Sequence, residues 1–191
     1  MDTLREVLGD MIALGDQILD EAAHTALGRY APFLKQKEFH AAGGKYRERL
    51  LRAGNQLGKT YAGGAEMAMH LTGLYPDWWE GARWDRGVTA WVATETADLA
   101  RDGVQAVLFG PMGQEGTGAI PRHCILSTAA KSGTVGAYDI CQIAHVSGQV
   151  STLTFKAYAQ GREKFQAVPV DVMWFDEEPV SYTHLTLPTK A

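Results

Sequence analysis

Two groups of residues in this sequence could do chemistry together, Gly58-Lys59-Thr60 and the acidic pair Asp176-Glu177. The triplet closes the stretch Ala53-Gly54-Asn55-Gln56-Leu57-Gly58-Lys59-Thr60. A phosphate loop asks for Gly, four free positions and Gly-Lys-Ser/Thr; here Ala53 stands at the first glycine position and Gly54 follows it. The chemistry tolerates that shift. Backbone N–H groups of such a loop curl around the phosphates, and the next helix points its positive end at them. Lys59 would reach the β/γ oxygens and the Thr60 hydroxyl would ligate Mg²⁺. The acids close the run Val170-Asp171-Val172-Met173-Trp174-Phe175-Asp176-Glu177-Glu178, whose apolar core matches a buried parallel strand carrying its chemistry at the carboxyl end. On this reading Asp176 belongs to the Mg²⁺ shell, and Glu177 accepts a proton from, or orients, the water that attacks the γ-phosphate. An apolar run ending in Asp-Glu is common and a lysine can cap a helix, so each group carries weight only beside the other.

Strand, loop and helix must then occur in that order around the phosphate site. Tyr46 to Ala53 is expected to be the strand that enters the loop, and Lys59 to about Leu71 the helix that leaves it. Gly63 and Gly64 each weaken that helix by about 1 kcal/mol relative to Ala, which close packing on a sheet would offset. Val88 to Thr94 reads as a buried strand and Ala97 to Phe109 as its return helix, ended by Gly110-Pro111. Met112 to Ile120 is Gly-rich and reads as a mobile surface loop. Tyr138 to Val146 and Val150 to Tyr158 flank Ser147-Gly148-Gln149 as an antiparallel hairpin, with Ser151, Leu153, Phe155 and Ala157 on one face. Gln160 to Gln166 reads as a polar turn or short helix. Upstream, Leu4, Val7, Leu8, Met11, Ile12, Leu14, Ile18 and Leu19 recur at helical spacing, giving one or two amphipathic helices interrupted near Gly9 or Gly15. Pro32 to His40 contains a short helical segment, and Tyr75-Pro76-Asp77-Trp78-Trp79-Glu80-Gly81 an aromatic loop that serves best as a packing anchor.

Length and composition set the class. A chain of 191 residues with 46% hydrophobic residues suits one α/β domain with a substantial core. No apolar run approaches the roughly 20 residues of a membrane span, and no secretion signal is read at the N-terminus, so an intracellular protein is expected. Cys124 and Cys141 lack paired metal-ligand spacing and read as buried thiols. The formal charge of −4 excludes nucleic-acid binding by an overall positive field, so any such contact must be local. Lys45, Arg47, Arg49 and Arg52 form the densest basic patch; on a strand Arg47 and Arg49 would share a face, most simply a solvated strand edge.

The domain divisions expected are a helical segment over 1–30, a phosphate-loop domain over 31–179 and a foreign tail over 180–191. From Val180 to Thr189 the peptide matches the translation of a transposon-end sequencing adapter, residue for residue. Without Lys190, the tail's one charged residue, the count becomes 17 basic against 22 acidic residues, or −5.

These motifs resemble the large terminase subunit of tailed phages, the DNA-packaging ATPase, over roughly Gln36 to Pro179. Gln36-x-x-Phe39-His40 resembles its adenine-recognising glutamine motif, and Ala53 to Thr60 its own variant of the phosphate loop. His70-Leu71-Thr72-Gly73 with Tyr75-Pro76-x-Trp78-Trp79 is similar to a stretch of one terminase branch, and Gln160-Gly161-Arg162-Glu163 through Phe175-Asp176-Glu177-Glu178-Pro179 to the approach to the Mg²⁺ strand. The resemblance implies a RecA-like α/β fold with a mainly parallel sheet, ATP and Mg²⁺ as ligands, and Gln36 at the base. It also implies double-stranded DNA, a portal protein and a small terminase subunit as partners, a homo-oligomeric ring, and work in the host cytoplasm during virion assembly. A nuclease domain and the strand that senses the γ-phosphate would lie beyond Pro179. Some members place an arginine beside the loop glutamine, where this sequence has Asn55; Arg101 and Arg162 are then candidates for an arginine finger, with exposed salt-bridge partners as the plainer reading. A helicase or recombination motor would use the same loop and acids, and a binding module without turnover would leave Glu177 without a task.

Overall fold

Continuous apolar residues put a strand in the middle of a sheet, alternation puts it where one face is covered, and a strand showing neither belongs at the edge. The computed structural model, which describes residues 2–161, 165 and 168–177, sorts its strands in this way. Strand β1 (Thr89–Thr94) lies between β4 (Val150–Ala157) and β5 (Val172–Phe175), parallel to both, and is buried from Ala90 to Thr94. Strand β3 (Tyr138–Ala144) forms the expected antiparallel hairpin with β4, whose Ser151, Leu153, Phe155 and Ala157 are buried on one face. Strand β2 (Ile125–Ala130) pairs antiparallel with β3 and completes the order β2-β3-β4-β1-β5. The sheet is therefore mixed, with two parallel and two antiparallel pairings among the described residues, rather than mainly parallel. The sequence reading did not anticipate β2, because five of its six residues are exposed and no buried face marks it.

Helix α3 (Lys59–Thr72) packs against the sheet and is buried along most of its length. A Cβ at Gly63 would stand 2.5 Å from Cε2 of Trp174 in β5, and one at Gly64 would run into Val107. Gly63 thus allows the helix to lie close on β5, the packing expected to offset its cost, while Gly64 makes room for Val107. Ala97–Phe109 is helical as expected, as α4 (Ala97–Leu99), a π-helical stretch (Ala100–Gln105) and α5 (Ala106–Phe109), with Gly110 stopping it at φ 98. Met67 and Leu71 of α3, Leu108 and Phe109 of α5, and Val92, Leu153 and Phe155 of the sheet form the main core. A second cluster, with Tyr30, Ala62, Ala65, Met69 and Trp79, lies on the other side of α3. Trp79 is 4% exposed, the anchor its loop was expected to supply.

Four expectations are corrected. Helix α1 (Asp2–His24) is one helix, uninterrupted at Gly9 or Gly15, and its residues Leu4, Val7, Leu8, Met11, Ile12 and Leu14 are exposed. Tyr46 to Ala53 is not a strand: among the described residues it has no ladder partner, and a strand exists only by pairing. Met112 to Ile120 is a surface loop only as far as Thr117; beyond it the chain is buried, and the Ala119 and Ile120 N–H groups donate to the Val107 and Leu108 carbonyls. Strand β5 is parallel but outermost, with Val172 and Trp174 packed on the core and Met173 and Phe175 exposed on the opposite face. Cys124 and Cys141 are buried, and burial raises both thiols, Cys141 to about 12. The described residues hold no group of three potential metal-ligating His, Cys, Asp or Glu side chains, and no described helix is long and apolar enough to cross a membrane.

Candidate functional site

The ladder between β1 and β5 runs from Ala90 opposite Val172 to Ala93 opposite Phe175, and the Asp176 N–H extends it by donating to the Ala93 carbonyl at 3.0 Å. This fixes Asp176 at the carboxyl end of β5. Helix α3 begins opposite it, and Thr60 Oγ1 donates to Asp176 Oδ1 at 3.0 Å across 116 residues of sequence. Burial raises the Asp176 carboxyl above its ordinary value; the Thr60 bond and the Lys59 charge oppose that, and Glu177 adds to it. A hydroxyl and a carboxylate side by side are hard oxygen donors of the kind Mg²⁺ takes, usually with one or two carboxylates and several waters or phosphates. The next residue, Glu177, has an exposed side chain and a left-handed backbone at φ 75. Its carbonyl accepts from the Tyr158 hydroxyl at 3.2 Å, and the same hydroxyl reaches the Ala93 carbonyl at 3.3 Å.

The loop itself turns on two left-handed residues, Gln56 at φ 61 and Gly58 at φ 75. Ala53, Gly54, Asn55, Gln56 and Leu57 are exposed, while Gly58, Lys59 and Thr60 are half-buried. Gly58 caps α3 without a side chain, so the N–H groups of the first turn face outward with no intrahelical acceptor. Their partial positive charge favours an anion there. Lys59 Nζ donates to the carbonyls of Ala53 and Gly54 at 3.0 and 2.9 Å, which folds the ammonium over the loop. Gln36, on α2 (Leu34–Ala42), donates through Nε2 to the Gly58 carbonyl at 3.4 Å and accepts from the Phe33 N–H at 2.9 Å. The structure thus brings Gln36, the loop from Ala53 to Thr60, and Asp176 together, with Glu177 adjoining them. Arg101 is not free: it pairs with Asp98 at 3.0 Å and Asp102 at 2.6 Å and donates to the Val135 carbonyl. Arg162 lies outside the described residues, as does the tail from Val180.

Sequence reasoning missed the residues behind the site. Arg49 does not line a solvated strand edge with Arg47. Its guanidinium turns inward to the Glu66 carboxylate and the Phe39 carbonyl, with Phe39's ring beneath it at 4.6 Å. Glu66, 6% exposed, also receives His40 Nδ1 at 2.6 Å and His70 Nε2 at 3.4 Å. Burial alone would raise this carboxyl; the bonds from His40, His70 and Arg49 outweigh it and hold the group far below the usual range. The sequence signal was a glutamate on an otherwise apolar helix face, among Ala62, Ala65 and Met69, with a histidine four residues on. Tyr158, Trp174 and their contacts had no such signal.

Residues 50–181 match the family model described as terminase large subunit, T4likevirus-type, N-terminal. The terminase large subunit of Salmonella phage P22 is 36% identical over 173 residues, covering 80% of this chain and 35% of that protein. The chain therefore spans about a third of the length of that curated relative. No solved structure matches it.

Proposed function

The chain belongs to the terminase large subunits, as part of their N-terminal region, and from that premise we propose that it binds and hydrolyses ATP to move double-stranded DNA into a procapsid. The observation that carries this reading is the hydrogen bond from Thr60 to Asp176, which joins the phosphate loop to the acidic end of a parallel strand. The α/β sheet, with its acids at the carboxyl end of β5, is compatible with a RecA-like domain that the longer protein completes. Double-stranded DNA, a portal protein and a small terminase subunit are the proposed partners, within a ring of copies in the host cytoplasm.

In this reading the first-turn N–H groups of α3 and the loop backbone receive the phosphates. Lys59 exchanges the Ala53 and Gly54 carbonyls for β/γ oxygens, so binding has two existing hydrogen bonds to replace. Thr60 and Asp176 would hold Mg²⁺, which when bound neutralises charge on the β- and γ-oxygens. Glu177 orients the attacking water and takes its proton, and the left-handed turn at 177 sets the direction of its side chain. Gln36 reads the base.

The test is ATP turnover by the full-length protein, wild type against Lys59→Ala and Glu177→Gln. Loss of the general base should lower the rate by about 10² to 10⁴. Near-unchanged turnover in both variants would overturn the assignment.

A further inference from the structure

Helix α2 is held in an unusual way for its length. It has nine residues, too few to be stable alone, and its two buried residues are both polar, Gln36 and His40. They are one turn apart and so share a face. Gln36 touches Gly58, the cap that precedes α3, while His40 reaches Glu66 two turns further along the same helix. His40 is 1% exposed, and both ring nitrogens are engaged: Tyr30 Oη lies 2.9 Å from Nε2, and Glu66 Oε2 lies 2.6 Å from Nδ1. The ionised Glu66 carboxylate can only accept, so the proton facing it sits on Nδ1, and in the neutral ring Nε2 then accepts from the Tyr30 hydroxyl. A mirror arrangement runs through His70, between Tyr75 Oη at 3.0 Å and the other Glu66 oxygen. Two tyrosine–histidine chains and Arg49 therefore converge on one carboxylate, directly behind the nucleotide site.

We propose that His40 and Glu66 form a positioning pair that docks α2 on α3, sets the distance of Gln36 from the phosphate loop, and thereby governs selection of the purine base. Neither residue touches the base; they act through Gln36. The inference rests on the ATP reading above. A buried polar helix face has no slack: without a donor at position 40 the Glu66 carboxylate loses a charge-assisted bond and α2 loses its deeper attachment. Between Gln36 and the loop there is then only the 3.4 Å bond to Gly58, too weak to hold the helix at its distance, while the 2.9 Å bond from the Phe33 N–H lies at the start of α2 and moves with it.

The experiment measures kcat and KM for ATP and GTP with the full-length protein as wild type, His40→Phe and His40→Asn. Phenylalanine keeps the ring that packs on Trp78 and Trp79 but has no donor; asparagine presents an N–H near the position of Nδ1. Wild type should prefer ATP. His40→Phe should raise KM for ATP roughly tenfold, affect kcat less, and shrink the ATP-over-GTP preference by a similar factor. His40→Asn should recover most of both. Tyr30→Phe, which removes one hydroxyl from the core and keeps the ring, should shift the preference in the same direction by roughly two- to threefold. Equal losses for ATP and GTP, no recovery with asparagine, or an unchanged preference in both His40→Phe and Tyr30→Phe would each overturn the pair's role while turnover that needs Lys59 and Glu177 still stood. Turnover indifferent to Lys59 and Glu177 would instead remove the reading on which the inference rests.

Discussion

The two halves of the site meet at one hydrogen bond but are held by different means. Strand β5 and its Asp176 are placed by main chain, through the ladder to β1 and the added bond from the Asp176 N–H. Its beginning is pinned as well, where Asp171 accepts from the Thr89 N–H and from Arg86. The loop proposed to bind phosphate is approached by residues 46–52, which have no ladder among the described residues, and is located by side chains: Arg49 on Glu66 and Phe39, Gln36 on Gly58. A ladder spreads positioning over several repeated bonds, so losing one costs little. Side-chain placement concentrates it, so single substitutions behind the loop should be felt most.

The largest expected effect follows. Glu66→Ala leaves the Arg49 guanidinium without its partner in a partly buried setting, and unfolding in denaturant should show a loss of about 3–5 kcal/mol. Asp171→Ala, on the ladder side, should lose only a fraction of that, because the β1–β5 bonds remain. Equal losses would break the comparison. Glu66 also sets a pH signature through His40 from α2, His70 from its own helix and Arg49 from the loop approach. Its carboxyl is lower in the folded chain than the ordinary 4.5, so its stabilisation is complete above about pH 4.5 and is lost as pH falls below it. The Glu66→Gln variant should therefore show a flatter fall in stability below that pH than wild type, measured by denaturant titrations at stepped pH.

Helix α3 joins the two halves, and at Gly63 it lies close against Trp174 of β5. Gly63→Ala sets a methyl 2.5 Å from the Trp174 ring, and overpacking of this kind costs about 1–3 kcal/mol, against a helix-propensity gain of about 1. Thermal unfolding should fall accordingly. Gly103→Ala, where nothing lies within 4 Å of the new Cβ, should show no such loss. A Gly63→Ala protein as stable as wild type would mean that α3 can shift on β5 without cost.

The same division explains what the sequence could reveal. Among the elements held by main chain, those that pack on the core announce themselves: β1 by its continuous apolar run, β4 by alternation, and β5 by an apolar run ending in acids. Thr60 and Asp176 could be paired from motif order alone because one stands in the first turn of α3 and the other directly after β5. The strand expected over Tyr46 to Ala53 failed because a strand depends on a partner elsewhere in the fold, and local composition cannot supply one. The partners of Glu66 are 26 residues upstream for His40 and 17 for Arg49; no periodicity links such positions. Strand β2 was missed because its six residues, Ile-Leu-Ser-Thr-Ala-Ala, face mostly outward and carry no pattern.

The smallest predicted effect tests where main-chain placement ends. Glu177 lies one residue past the last ladder bond, in a left-handed conformation that costs a non-glycine residue about 1–2 kcal/mol. The Tyr158 hydroxyl is the side-chain group that bridges Ala93, within the ladder, to Glu177, beyond it. Removing that bridge in Tyr158→Phe keeps the ring stacked on Phe165 and Phe175 and removes hydrogen bonding worth about 0.5–1.5 kcal/mol. If the bridge holds the turn, the proposed role of Glu177 on the attacking water predicts that kcat for ATP falls about three- to tenfold with KM nearly unchanged. If kcat does not change, the ladder alone carries Glu177. The contrast between a main-chain half and a side-chain half then extends through the whole acidic pair, and Tyr158 serves only to fill the exposed face of β5.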